Sequence, residues 1–103
     1  MEVIKLEKKF ELLCFIKKDC NKGKIIKQIN QFITELGGTA FQTEDMGLRN
    51  LAYEVKGHKK AYFYLANFKA TESNKNIDGR LSVKINTVEE IIKHMIIPSN
   101  EEE

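Results

Sequence analysis

HKKAYFYLANFKA, residues 58–70, is the most aromatic segment of the 103-residue chain and reads as a β-strand. Tyr62, Tyr64, Ala66 and Phe68 share one parity, while Phe63 and Leu65 share the other. Residues 9–17, KFELLCFIK, repeat the pattern, with Phe10, Leu12, Cys14 and Ile16 set against Leu13 and Phe15. Successive side chains of a strand point to opposite sides of its sheet. Each segment therefore carries apolar side chains on both faces.

Working outward, Asp19 or Asn21 can cap a helix that follows the first strand. Ile25, Ile26, Ile29, Phe32, Ile33 and Leu36 recur at helical spacing, and Gly37-Gly38 closes the helix. Thr39–Val55 reads as a long strand whose apolar parity changes from Ala40, Met46 and Leu48 to Leu51, Tyr53 and Val55. A strand keeps one face to a core across such a change only by adding a residue, so a bulge near Gly47 is expected. Lys56-Gly57 supplies a hairpin turn. Residues 71–83 are expected to be helical around the pair Ile77 and Leu81, although Gly79 weakens the helix. Residues 85–87 read as a connection and residues 90–97, EIIKHMII, as a final strand ahead of Pro98.

Strand, helix, strand, strand, helix, strand is an α+β order. It predicts the ferredoxin-like βαββαβ fold, a four-stranded antiparallel sheet with two helices on one face and strands one and three at its centre. One domain at 9–97 would lie between an N-terminal extension at 1–8 and an acidic, disordered tail at 98–103. Two helices cover one face only, which leaves Leu13, Phe15, Phe63 and Leu65 on the open face. An apolar patch in mid-sheet is usually covered. A protein partner is the expected cover, and the tail, the N-terminal segment or a second copy are the alternatives.

Composition narrows the classes. Two cysteines cannot build a disulfide scaffold, and no apolar run approaches the ~18 residues of a membrane helix. Residues 1–7 lack the pattern of a secretory signal, so secretion is not expected. The net charge of +2 combines a body of +5 with the three tail acids Glu101, Glu102 and Glu103. Catalytic chemistry is scarce. Cys14 and Cys20 have no metal-ligand spacing, His58 and His94 stand alone, and Ser73, Ser82 and Ser99 have no nucleophile-elbow context. No enzyme activity, metal or cofactor is expected. Lysines near strand and helix ends can reach phosphates, but lysines solubilise any surface, and their number alone does not separate the two readings.

EDMGLRNLAY, residues 44–53, resembles the second strand of the bacterial-type small-subunit ribosomal protein S six family. That family places an acidic residue, a glycine and a basic cluster ahead of Leu-Ala-Tyr. The resemblance continues through His58 to Phe63, Asn67, Lys84-Ile85-Asn86 and residues 89–97. In this chain Glu54 replaces the proline that commonly follows Leu-Ala-Tyr, and Thr87-Val88 looks like an insertion. The resemblance implies a structural constituent of the small ribosomal subunit with no enzymatic activity. It would bind small-subunit rRNA at the platform together with ribosomal protein S eighteen, in a bacterial cytoplasm or in a mitochondrial or other organellar matrix. Arg49 would be the first rRNA contact, with Lys59, Lys60 and Lys9 behind it. Leu13, Phe15, Phe63 and Leu65 would meet the protein partner, and Leu51 and Tyr53 would be packing residues. No membrane or small-molecule substrate is implied. The alternative is a free module like an RNA-recognition motif, stacking bases on Tyr62 and Tyr64.

Overall fold

In the computed structural model, which describes residues 7–71 and 74–99, six elements follow one another. They are β1 (Glu7–Lys17), α1 (Lys22–Glu35), β2 (Thr39–Val55), β3 (His58–Thr71), α2 (Ile77–Ile85) and β4 (Ile91–Ser99). The four strands form one antiparallel sheet in the order β2-β3-β1-β4, with β1 and β3 inside. Phe10, Leu12, Cys14 and Ile16 of β1 are buried with Tyr64, Ala66 and Phe68 of β3. Ile25, Ile29 and Ile33 of α1 and Ile77, Leu81 and Ile85 of α2 join the same core. Both helices therefore cover one face, and the fold is ferredoxin-like.

Local chemistry sets the ends of α1. The Asn21 side chain accepts a hydrogen bond from the Lys24 backbone N–H at 3.3 Å, which satisfies one orphan donor of the first turn. At the other end Gly37 takes φ +91°, where a Cβ would lie 2.8 Å from Asn74 Nδ2. That nitrogen donates to the Leu36 carbonyl at 2.8 Å, so glycine here admits the group that caps the helix.

β2 departs from regular pairing three times. Its register with β3 shifts between Ala40 and Gln42, between Asp45 and Gly47, and between Asn50 and Val55. The second shift is the bulge expected near Gly47, which has φ +82°. Its N–H donates to Asp45 Oδ1 at 3.0 Å. Asp45 also pairs with Lys22 Nζ at 2.8 Å, and that ammonium lies 4.7 Å from the Tyr62 ring centroid. The Lys22 hydrogen bond holds the Asp45 carboxyl below its ordinary range. The bulge is thereby tied to the start of α1.

The third shift is larger. Between the pairs Asn50–Lys60 and Val55–His58, β2 has four residues where β3 has one. Lys56 (φ +51°) and Gly57 (φ +82°) then close a two-residue turn of the type that matches strand twist. β1 ends at Lys17, opposite Ala61. Residues 50–60 therefore have no third strand paired with them and form a two-stranded arm, whose Val55 and Lys56 share a hollow with Val88, Glu89 and the start of β4. The molecule is elongated, 55 × 28 × 20 Å.

Several element bounds differ from expectation. β1 begins at Glu7, inside the expected N-terminal extension. β4 runs on through Pro98 and Ser99, which were expected in the tail. Proline fits because β4 is an edge strand, where a missing donor can face solvent. The second helix starts at Ile77 and includes Ile85, which was expected in a connection. The rest of the expected extension (1–6), the expected helical positions 72 and 73, and the remaining tail (100–103) lie outside the described residues.

Candidate functional site

The open face is built by strand alternation. Leu13 pairs with Leu65 and Phe15 with Phe63 across the inner strands. Directly opposed residues share a face, so these four side chains form one patch, and all are half-buried. The Phe15 and Phe63 rings stack at a centroid distance of 4.5 Å and an interplanar angle of 14°. β4 extends the patch with Met95 opposite Leu13 and Ile97 opposite Glu11. They are 38% and 51% exposed. Sequence reasoning missed both, although their parity within EIIKHMII carried the signal.

The expected cations fall into two places. Arg49, Asn50 and Lys60 line a shallow open hollow with Leu48 at the root of the arm, and Lys59 is exposed beside them. Arg49 Nε donates to the Met46 carbonyl at 3.1 Å, which orients the guanidinium. Among the described residues, Arg49, Lys56, Lys59 and Lys60 enter no ion pair; the pairs are Lys22–Asp45, Lys69–Glu7 and Lys84–Glu35. The structure does not bring Lys9 to this group. It pairs with Lys69, eight residues along β3 from Ala61, the partner of Arg49. That separation is about 26 Å at the usual rise. Lys9 Nζ instead lies 5.8 Å from the ring of the exposed Phe41.

The alternative reading and one expectation need correction. Tyr64 faces the helices, is 3% exposed and donates to Asn30 Oδ1 of α1 at 3.2 Å. Tyr62 is half-buried on the same side under Lys22. The stacking platform of an RNA-recognition motif is therefore not formed, because both rings have the parity of the core. Tyr53 is not a packing residue; it is 83% exposed. It falls among the four residues of β2 that face a single residue of β3, so alternation no longer turns it inward.

His94, expected to be isolated, has Nε2 2.8 Å from Ser82 Oγ, which ties β4 to α2. Burial holds the His94 pKa below its ordinary value. Cys14 is a core residue whose thiol burial pushes up to about 12. Cys20 Sγ donates to the Lys17 carbonyl at 3.2 Å. Among the described residues no three His, Cys, Asp or Glu side chains gather as a metal site. No helix there is long and apolar enough to cross a membrane.

Comparison with known proteins follows the same lines. The family model described as Ribosomal protein S6 matches residues 9–98. Small ribosomal subunit protein bS6 of Alkaliphilus oremlandii is 33% identical over 92 residues, covering 86% of this chain and 94% of that protein. The protein of the same name from Helicobacter pylori (strain Shi470) is 48% identical over 48 residues. That shorter match spans 47% of this chain and 34% of the Helicobacter protein, about a third of its length. The crystal structure of 30S ribosomal protein S6 from Thermotoga maritima superposes with a TM-score of 0.79 at 21% identity, covering 90% of this chain and 88% of that one. With 90 consecutive residues matched by the family model and a relative aligned over nearly its whole length, the chain belongs to the Ribosomal protein S6 family.

Proposed function

We propose that the chain is a structural, non-catalytic constituent of the small ribosomal subunit, binding small-subunit rRNA at the platform jointly with ribosomal protein S eighteen. The observation that carries this reading is a separation of roles on one small sheet. An apolar open face suited to a protein sits beside an arm whose cations have no acidic partner among the described residues. Leu13, Phe15, Phe63 and Leu65, extended by Met95 and Ile97, meet the protein partner. Arg49, Lys59 and Lys60 contact phosphates from the arm, and Lys9 makes a separate contact at the far end of β1. The ribosome is that of a bacterial cytoplasm or of an organellar matrix.

The direct test is a sucrose gradient of source lysate. Comigration of the chain with the small subunit is the expected result, and a position only at the top of the gradient rejects the reading. The arm makes a second expectation. In complexes of the chain with ribosomal protein S eighteen, R49Q and K60Q should each lower the slope of log affinity for rRNA against log salt by about one. Filter binding between roughly 50 and 200 mM salt measures it. An unchanged slope removes the arm from the contact.

A further inference from the structure

Tyr53 is the most exposed large hydrophobic side chain among the described residues, at 83%. A ring this size usually buries much of its surface, so its position needs an explanation. The backbone supplies the local one. Residues 51–54 oppose Lys59 alone, so Tyr53 sits where regular alternation is broken and its ring is left exposed. The surroundings supply the chemistry. The arm around Tyr53 holds Lys56, Lys59 and Lys60, with Arg49 at its root, against Glu54 within it and Glu89 across the hollow at its tip. A protein hot spot sits in a desolvated pocket, whereas Tyr53 is exposed between exposed Ala52 and Glu54, with Leu51 and Val55 half-buried on either side. An aromatic ring projecting from a cationic ribbon suits a nucleic acid, whose phosphates meet the cations while an unpaired base meets the ring.

We propose that Tyr53 stacks on an unpaired base of the bound RNA, so that the arm recognises a bulge or loop beside a duplex and not a duplex alone. This rests on the rRNA-binding reading above. Stacking depends on the ring's face and area, and the hydroxyl is dispensable to it.

The test titrates deproteinised small-subunit rRNA from the chain's own source into complexes of the chain with ribosomal protein S eighteen. Y53A should bind about 5- to 150-fold more weakly, the usual range for losing one stacked aromatic. Y53F and Y53W should bind as the unaltered chain does. The chain has no tryptophan, so Y53W adds a single reporter whose emission should be quenched at saturating RNA. All three variants should melt at the temperature of the unaltered chain, since the ring packs against little. Undiminished binding by Y53A, equal losses in Y53A and Y53F, or unquenched Y53W emission overturns the stacking assignment and leaves the rRNA reading intact. Y53A that binds rRNA normally but loses ribosomal protein S eighteen assigns the ring to protein docking and also overturns it. Failure of the unaltered complex to bind rRNA overturns both.

Discussion

Under the proposed docking of ribosomal protein S eighteen on the open face, Phe63→Asp should sever that contact while leaving the monomer folded. Phe63 lies at the middle of the open face, stacked on Phe15 and flanked by the Leu13–Leu65 pair. Central aromatic anchors of an interface typically cost ~2–4 kcal/mol when truncated, a loss of roughly 30- to 1,000-fold in affinity. A carboxylate adds to that loss, because docking would strip its water without offering a partner. In the free chain Phe63 is only half-buried, so the aspartate keeps access to solvent. Co-purification measures the loss, and circular dichroism shows that the fold persists. Met95→Glu, on the same face and 38% exposed, should weaken docking in the same direction with still less effect on the monomer. Retention of the partner by both variants would remove this face from the interface.

Phe68→Ala should have the largest effect on stability. Phe68 is fully buried and stacks on Phe10 at 5.1 Å with an interplanar angle of 17°. Truncating a buried phenylalanine costs about 3–5 kcal/mol, from lost transfer energy and the cavity left behind. A domain of this size has ~5–15 kcal/mol in total, so the variant approaches the limit of folding. Urea unfolding followed by circular dichroism should show a lowered midpoint. Val83→Ala, at a helix position 66% exposed, should change stability by less than about 0.5 kcal/mol. A similar midpoint for the two variants would contradict the assignment of Phe68 to the core.

Most of the fold was legible because local signals agree with the tertiary structure. Parity in residues 9–17 and 58–70 separates the helix-covered face from the open one, and the helical stripe from Ile25 to Leu36 marks α1. The second helix is shifted because its signals are weak. Asn76 makes no side-chain cap, and Gly79 sits inside the helix. Burial of Ile77, Leu81 and Ile85 against the sheet determines its place, and that information is not local. The open-face residues were legible by the same parity, except on β4. Tyr53 was not, because alternation assumes that each residue faces a partner. The legible hint was a tyrosine followed within three residues by Glu54 and Lys56, next to a turn.

The strand order also governs how the chain comes into being. Phe10 pairs with Phe68 on one side and with Pro98 on the other. The first strand to leave a ribosome is therefore the last to be enclosed, waiting through 88 residues of synthesis for its second neighbour. At ~5–20 residues per second that is roughly 4–18 s with an open backbone edge. A nascent chain lacking β4 would hold a central strand with the hazards of a peripheral one. The arrival of β4 is thus the event that closes the sheet on β1.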